Sequence, residues 1–486
     1  MNKEDDPAAD PAALHHEPPD LTPAEKDRGM HYVLWAASLG IVFFFAADGN
    51  VFTLFVKRLG ASNTQIGALI SLLQIFTVVQ VFIAGMIERR GKKPFIIGGW
   101  LVATTVTFSY VAIPWVAEKY GAATAISWLM IAVIPVSLAR QVAAPGWMPL
   151  INDVVPAEVR GRFFGKMRIA WQAVSVAFLL FITVFFAGQG GGAFWRYQVL
   201  FLIGIAASFA RVYTTAKIPE LPPTPRKDAL PVWKALVSPF SGSVYMRYTV
   251  FSTLLTVALA TSDTYTVVYL KNAPMSYNDS YAIFLSTGVF YIGSALSLWS
   301  WGILVDKVGS RPLLIITTAA MGLVRFMWLG VLWAPGIPYV IPAYYFLNGV
   351  FTAGYGIANT TYLFAISPRH YGKTTYIVTA GVVAALVSSA MVPVGGYTID
   401  GLSAFHHVLA QYGLDEYRLP FIASGIMALL SVAVLFKVEE RGAAPTMDVV
   451  MALVTRPLQA LYNVLLLIRP FGPNGNGGHG DGRGTE

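Results

Sequence analysis

The sequence contains no cysteine, which excludes disulfide bonds and thiolate metal ligands. Charged residues make up only 12% of its 486 residues, whereas hydrophobic residues make up 55%. The mean hydropathy is correspondingly high, at +0.58. A soluble protein of this length could not keep so many apolar side chains away from water with so little charge. The composition therefore indicates an integral membrane protein.

Several signatures of catalysis and nucleotide binding are also missing. No phosphate-binding loop of the form GxxxxGK(S/T) occurs, so nothing supports ATP-driven transport by this chain. The histidines lack metal-ligand spacing: His15 and His16 lie in a polar segment, and His406 and His407 in a predicted loop. No nucleophile is paired with a base, and the first thirty residues lack the apolar stretch of a signal peptide. We therefore expect neither an enzyme nor a bound cofactor or metal.

The net charge of +8 comes from basic residues in short loops between apolar segments. This distribution suits anionic lipid headgroups better than nucleic acid. The predicted loops on the side of the N-terminus hold 25 Lys and Arg residues, and the opposite loops hold 6. Because cytoplasmic loops are enriched in these residues, we expect both termini in the cytoplasm and the protein in the plasma (inner) membrane.

Hydropathy predicts twelve membrane spans, since a bilayer core of about 30 Å needs roughly 20 apolar residues per helix. They cover residues 31–56, 64–87, 94–117, 124–152, 167–188, 196–216, 248–270, 281–305, 312–334, 338–366, 374–398 and 419–437. Residues 1–29 read as a disordered cytoplasmic tail, 217–247 as a cytoplasmic connector and 439–486 as a second cytoplasmic tail. In the C-terminal tail, the pattern of residues 446–471 predicts an amphipathic helix on the membrane surface, and the alternative is a thirteenth span.

A short loop signature occurs once in each half of the chain. The first copy is AGMIERRGKKP, Ala84 to Pro94, and the second is GILVDKVGSRP, Gly302 to Pro312. Their acids are 218 residues apart, and Asp48 and Asp263 interrupt apolar runs at a similar spacing of 215 residues. An internal period of this length indicates a duplicated helical bundle.

These loops resemble the signature G-x-L-a-D-r-x-G-r-(r/k) of the major facilitator superfamily of transporters. The second copy matches it at Gly302, Leu304, Asp306, Lys307, Gly309 and Arg311. The first copy departs at Ala84 and Glu88 but keeps Arg89, Gly91, Lys92 and Lys93. After span 4, DVVPAEVRG (Asp153 to Gly161) is similar to the D-x-x-P-x-x-x-R-G sequence of this family. The resemblance covers about residues 30–438 and implies an all-α fold of twelve transmembrane helices in two pseudo-symmetric six-helix bundles, residues 30–216 and 248–438.

The resemblance also implies a role for the loop charges. Glu88 would pair with Arg160 or Arg162, and Asp306 with a base such as Lys373, to latch the cytoplasmic side while the outer side is open. The alternative is that these charges only fix topology and anchor helix ends to headgroups. The expected latch residues are Glu88, Arg89, Gly91, Lys92, Asp153, Arg160, Arg162, Gly302, Asp306, Lys307, Gly309, Arg311 and Lys373.

Ionisable residues within predicted spans are functional candidates because burying a charge in the bilayer is costly. Asp48, Arg140 and Asp263 lie near the midplane, and the resemblance implies that their spans 1, 4 and 7 line a central cavity. Each aspartate could load and release a proton, or form a permanent ion pair with Arg140. Arg140 could bind an anionic substrate or neutralise Asp48. Arg325 and Arg211 lie on spans 9 and 6, away from that cavity, and we expect them to pair structurally or snorkel.

Polar and aromatic residues on the predicted cavity helices complete the candidate substrate site. They are Asn50, Gln74, Gln141, Trp147, Tyr265, Asn348, Tyr355 and Asn359. Each could instead be a packing residue or a helix–helix hydrogen bond.

The function predicted from these features is secondary active transport of a small solute by alternating access, driven by protons. A membrane-embedded enzyme or lipid-handling protein built on the same bundle is the alternative. Among transporters, the sequence is compatible with an exporter of drugs or metabolites and with an importer of nutrients. The expected partners are a small-molecule substrate, protons and the lipid bilayer, with no nucleic acid and with a monomeric chain.

Overall fold

A computed structural model describes most of the chain, namely residues 21–156, 159–187, 193–222, 237, 240, 242–272, 276–330, 337–366, 373–437 and 445–455. This described part is almost entirely helical and contains no strand. Eleven of its helical segments are long and apolar enough to cross a membrane, and the helix Ile337–Ile366 supplies the twelfth span. The twelve-span prediction is therefore confirmed.

Spans 1 to 6 are formed by the first half of the chain. Their helices are Pro23–Ala47 with Gly49–Arg58 (span 1), Asn63–Ile75 with Phe76–Val78 and Val79–Arg90 (span 2), Lys93–Tyr120 (span 3), Ala122–Val154 (span 4), Arg160–Phe186 (span 5) and Phe194–Lys217 (span 6).

Spans 7 to 12 are formed by the second half. Their helices are Ser243–Ala260 with Asp263–Lys271 (span 7), Asp279–Ile283 with the π-helix Phe284–Val289 and Phe290–Val308 (span 8), Ser310–Arg325 with Met327–Gly330 (span 9), Ile337–Ile366 (span 10), Lys373–Ser403 (span 11) and Arg418–Leu435 (span 12). A short helix, His406–Gln411, lies between spans 11 and 12.

Span 1 begins earlier than hydropathy predicted, inside the range assigned to a disordered tail. Thr22 caps the helix: its hydroxyl accepts from the Glu25 amide at 3.3 Å, and the Thr22 amide donates to the Glu25 carboxylate at 2.9 Å. Pro23 occupies the first helical position, where no amide hydrogen is needed. This capping box explains a helical start in a polar segment that a hydropathy scan cannot detect.

The glycine of each loop signature ends a span. Gly91 and Gly309 both have φ near +90°, at +90° and +89°, and their amides donate to the carbonyls of Ile87 and Val305. A residue with a side chain rarely adopts this backbone conformation. The signature therefore needs glycine to turn the chain sharply between spans 2 and 3 and between spans 8 and 9.

Each half forms a bundle with its own packing. Span 3 packs on span 4 and span 1 on span 6, whereas span 8 packs on span 10 and span 9 on spans 10 and 12. The two halves meet chiefly through span 2 against span 11 and span 5 against span 8. We call the end of the bundle where span 1 begins and span 12 ends the terminal side, and the opposite end the distal side.

The chain after span 12 is described only in part. Thr446–Thr455 is helical and packs against span 9. The remainder of the predicted surface helix, residues 456–471, lies outside the described residues.

Candidate functional site

The helices of spans 1 and 7 are both interrupted at the aspartates that the sequence singled out. Asp48 is extended, with φ −142° and ψ −172°, and its carboxylate accepts from the Gly49 amide at 3.0 Å. In span 7 the helix ends at Ala260 and resumes at Asp263. A carboxylate at a helix N-terminus is favoured by the free amides and the helix dipole there. Each aspartate is therefore held at a break in the middle of its span.

Asp48 forms an ion pair with Arg140 of span 4. The distance from Nη1 of Arg140 to Oδ2 of Asp48 is 2.7 Å, and the side chains are 24% and 10% exposed, respectively. The Arg140 guanidinium carbon also lies 5.9 Å from the centre of the Trp100 ring. The pair borders a cavity of about 320 Å³. This first cavity is lined by Phe44, Asp48, Gly49, Asn50, Thr53, Ile70, Leu73, Gln74, Arg140, Gln141 and Thr264.

Asp263 forms a second ion pair, with Arg325 of span 9. Their Oδ1 and Nη2 atoms are 2.6 Å apart, and the Arg325 side chain is only 1% exposed whereas that of Asp263 is 42% exposed. Arg325 also donates to the Met321 carbonyl at 2.8 Å. Asp263 borders a second cavity, of about 240 Å³. It is lined by Phe44, Phe45, Gly49, Asn50, Asp263, Thr266, Ser286, Thr287, Phe290, Tyr291, Tyr345 and Asn348.

Asn50 connects the two cavities and the two halves. Its amide nitrogen donates to the hydroxyls of Ser286 at 3.0 Å and Thr287 at 2.8 Å. Both hydroxyls belong to the π-helical segment of span 8, and such segments are frequent at functional sites. Phe44, Gly49 and Asn50 line both cavities, which therefore adjoin at the interface between the halves.

Most of the candidate site residues lie in these cavities, but four do not. Tyr265 donates to the Val392 carbonyl at 2.5 Å, and Asn359 accepts from Tyr248 at 2.9 Å. Tyr355 packs in the core of the second half, and Trp147 stacks on Arg211, 5.5 Å from its guanidinium carbon. The prediction chose residues by depth along the cavity spans, and these four side chains lie on faces that pack against other helices.

The structure also changes the expected pairing of charges. Asp263 pairs with Arg325, not with Arg140, because span 9 brings its buried guanidinium to the break in span 7. The Asp48–Arg140 pair lies within one half and so does not fasten the two halves together. Arg140 lies beside Asp48, one of the two arrangements considered for it, and Arg325 forms an ion pair, one of the two outcomes expected for it.

The hydroxyl residues of span 8 and the aromatic residues around them were missed by the sequence analysis. Ser286 and Thr287 form an adjacent hydroxyl pair in an otherwise apolar run, a signal that was present. Thr264 follows Asp263 directly, and Thr53 lies one helical turn after Gly49, to whose carbonyl it donates at 3.0 Å. Tyr291 and Tyr345 could not be told from packing aromatics without the fold.

The predicted latch residues lie at the terminal side. Lys92 contacts Asp153 through an ion pair, and its amide donates to Glu220 of the connector, so neither contact reaches the second half. Arg311 donates to the Phe436 carbonyl at 3.0 Å within the second half. Arg89, Arg162, Asp306 and Lys307 are exposed. The side chains of Glu88, Arg160 and Lys373 lie outside the described part.

The distal side is closed by contacts between the halves. The Asp400 carboxylate of span 11 accepts from the first turn of span 2: from the amide and side chain of Asn63 at 3.2 and 2.8 Å, and of Thr64 at 2.8 and 2.7 Å. Tyr197 donates to Asp279 at 2.8 Å, and Ser280 donates to the Thr183 carbonyl at 2.5 Å.

Metal ligands do not converge anywhere in the part of the chain that the structure describes, where no group of three His, Asp or Glu side chains could hold an ion.

Comparison with known proteins decides the family. The sequence model of the protein family described as Major Facilitator Superfamily matches residues 34–298 and 276–467, which together cover most of the chain. The chain belongs to the major facilitator superfamily. The resemblance found in the loop signatures is thereby confirmed, and the protein is a membrane transporter rather than an enzyme.

Solved structures of other transporters share this superfamily fold. A bacterial homologue of the human lysosomal transporter Spinster, inward-facing and unoccupied, superposes with a TM-score of 0.65 at 13% identity, covering 86% of this chain and 98% of its own. The nucleoside transporter NupG superposes with a TM-score of 0.64 at 12% identity, covering 85% of this chain and 100% of its own. A D-xylose–proton symporter superposes with a TM-score of 0.63 at 14% identity, covering 87% of this chain and 100% of its own. No curated protein sequence matches the chain significantly.

Proposed function

We propose that this superfamily member carries a small polar solute across the membrane by alternating access, with the solute bound between the halves. The observation that supports this most directly is the pair of adjoining cavities at the broken middles of spans 1 and 7. Both halves contribute residues to each cavity, so a solute bound there would contact both halves, and its contacts would change when one half moves against the other.

The lining favours an uncharged solute that carries hydroxyl or amide groups and a ring. Each carboxylate in the cavities already has a guanidinium partner, so the lining leaves no charge for an ionic substrate to neutralise. The Asn348 side-chain oxygen is buried and has no hydrogen-bond partner among the described residues. Leaving such a group unpaired costs about 1–3 kcal/mol, which a solute donor would recover. Sugars and nucleosides have this chemistry, and two structural neighbours are transporters of D-xylose and of nucleosides.

Proton coupling through Asp48 and Asp263 is the proposed energy source. Protonation of either carboxylate removes a charge-assisted hydrogen bond and frees its arginine. A freed Arg140 could then donate to the solute, which would link proton binding to solute binding. The alternative, a permanent ion pair, predicts that neutral substitutions disturb folding but leave the dependence of flux on the proton gradient intact.

The described conformation is proposed to face the cytoplasm. The bias of Lys and Arg places the terminal side in the cytoplasm, so the distal contacts around Asp400 close the outer side. In the opposite conformation, the acids Glu88 and Asp306 would latch the cytoplasmic loops of the two halves. The protein is proposed to act as a monomer in the plasma (inner) membrane.

The test is transport by the purified protein in proteoliposomes with an imposed pH gradient, using a panel of sugars, nucleosides, organic acids and drugs. We expect an uncharged polar solute to accumulate only when the gradient is present, and reversal of the gradient shows the direction of transport. Asp48→Asn should lower proton-driven flux at least tenfold, whereas Asp448→Asn, in the exposed helix after span 12, should not change it. Full proton-driven flux in Asp48→Asn would remove that residue from coupling.

A further inference from the structure

Arg211 of span 6 extends into the interior of the first bundle. Its guanidinium carbon lies 4.0 Å from the centre of the Trp100 ring on span 3 and 5.5 Å from that of Trp147 on span 4. A Cβ atom at Gly40 of span 1 would lie 3.1–3.3 Å from three atoms of this guanidinium. Glycine at residue 40 therefore provides the space in which the guanidinium lies, between spans 1, 3 and 4.

No carboxylate accompanies Arg211 in the part of the chain that the structure describes. The other two arginines near the cavities, Arg140 and Arg325, have aspartate partners at 2.7 and 2.6 Å. The Nε atom of Arg211 is buried and makes no hydrogen bond to any described residue. Arg140 shares the same tryptophan, with its guanidinium carbon 5.9 Å from the Trp100 ring centre. Two guanidinium groups thus lie around the Trp100 indole, and among the described residues only that of Arg140 has a carboxylate partner.

The position of Arg211 is on the terminal side of the first cavity. Gly40 precedes Asp48 by eight residues and Trp147 follows Arg140 by seven, which places the Arg211 guanidinium toward the terminal side of the Asp48–Arg140 pair. The guanidinium carbons of Arg211 and Arg140 lie 4.0 and 5.9 Å from the same Trp100 ring centre, so they are less than about 10 Å apart. The side chain is partly exposed, unlike that of Arg325. Spans 1 and 4, which it passes between, both contribute residues to the first cavity.

We propose that Arg211 binds a small monovalent anion, a halide or a carboxylate, at the terminal side of the cavity. Stacking on indole rings uses the faces of the guanidinium and leaves the N–H donors at its edge free. The partly exposed guanidinium is held between spans 1, 3 and 4 without a counter-charge, which is unfavourable, and an anion at that edge supplies the charge and accepts the donors. The site lies outside the two cavities assigned to the transported solute, and binding here does not depend on the proposed transport.

Anion binding can be measured on the full-length protein in detergent without any transport. Chloride, bromide and formate are each titrated against gluconate, a carboxylate too large for the space at Gly40, at constant ionic strength, with thermal unfolding as the readout. We expect the small anions to raise the unfolding midpoint of the wild-type protein by several degrees and to have no specific effect on Arg211→Gln. Stabilisation by halides alone identifies an inorganic ion, and stabilisation by formate as well identifies a carboxylate site.

Two variants separate binding from folding. Arg211→Lys keeps the positive charge and should retain part of the anion response. Arg168→Gln removes an exposed guanidinium that also stacks on an indole, 5.4 Å from Trp171, and should respond like the wild type. Bromide should give an anomalous scattering peak beside the Arg211 guanidinium in crystals of the wild-type protein. The same anion response in Arg211→Gln, or no bromide peak at that guanidinium, would overturn the proposal.

Discussion

At the scale of single residues, the two intramembrane ion pairs are not equivalent. Arg325 is almost completely buried, whereas Arg140 keeps a quarter of its side chain exposed and lies beside Trp100. Removing the charge of one partner from a buried pair costs about 3–5 kcal/mol, because the other charge is left without compensation. The two aspartates should therefore differ in their importance for stability.

We predict that Asp263→Asn destabilises the protein more than Asp48→Asn. Asp263→Asn leaves the buried Arg325 charge unpaired, and we expect a loss of about 3 kcal/mol or more. Asp48→Asn leaves Arg140 with access to water and should cost about 1 kcal/mol, less than half of the loss in Asp263→Asn. Unfolding of both purified variants in denaturant measures the difference, and an equal or reversed order would contradict it.

His406 gives a pH-dependent interaction outside the membrane spans. Its Nδ1 atom lies 2.7 Å from the Glu416 carboxylate, and this hydrogen bond and the negative charge raise the pKa of His406 above its ordinary value of 6.5. A raised pKa in the folded state means that the contact stabilises the fold fully below pH 6.5 and is lost as the pH rises through the folded pKa. Both side chains are accessible enough that the effect on stability is small.

The shift can be measured by NMR titration of the His406 imidazole. We expect a midpoint above 6.5 in the wild-type protein and a return toward 6.5 in Glu416→Gln. The same midpoint in both proteins would show that Glu416 does not hold the imidazole in solution.

At the scale of helices, closure of the distal side depends on how closely spans 2 and 11 approach. A Cβ atom at Gly67 would lie 2.3 Å from the Tyr265 hydroxyl and 2.8 Å from the Cα atom of Pro393. We predict that Gly67→Ala prevents this approach and shifts the protein toward a distally open conformation. Gly85→Ala, also in span 2 but with no atom within 4 Å of its Cβ, is the matched control. Labelling of single cysteines in spans 2 and 11, which the cysteine-free chain permits without background, should increase for Gly67→Ala only.

Asp400 should fasten the same two helices through its charge. Its four accepted hydrogen bonds join span 11 to the first turn of span 2, where the helix dipole also favours a carboxylate. Asp400→Asn weakens these bonds by roughly 1–3 kcal/mol, which corresponds to a shift of about fivefold to 150-fold toward distal opening. The same labelling measures it, with Glu118→Gln at the exposed end of span 3 as the control. Labelling that is unchanged in Asp400→Asn would show that the carboxylate does not hold the gate.

The sequence predicted the helices better than their faces. Apolar run length identified twelve spans, and the signature glycines identified two sharp turns, because both are local properties. The interruption at Asp48 could be inferred from a charge in an apolar run. The direction in which Tyr265 or Asn359 points could not, since it depends on how neighbouring helices pack. The same limit explains why Arg325 was placed outside the site although it holds Asp263.

At the scale of the whole molecule, the duplication is visible in the backbone but not in the charge partners. Spans 1 and 7 break at equivalent aspartates, yet their arginines come from span 4 in one half and span 9 in the other. An internal repeat in the sequence predicts the shared backbone. It cannot predict which helix supplies a long side chain, because arginines on different helices can reach the same position.

The central claim is that the two halves move against each other so that the cavities open to each side in turn. Pulsed EPR distances between spin labels test this most directly, with one pair at the distal side (Tyr120→Cys and Tyr412→Cys) and one at the terminal side (Arg90→Cys and Lys437→Cys), all at exposed positions. We predict two populations whose distances change in opposite directions, with Gly67→Ala lengthening the distal distance and shortening the terminal one. A single unchanged distance for both pairs, in the wild type and in Gly67→Ala, would contradict alternating access.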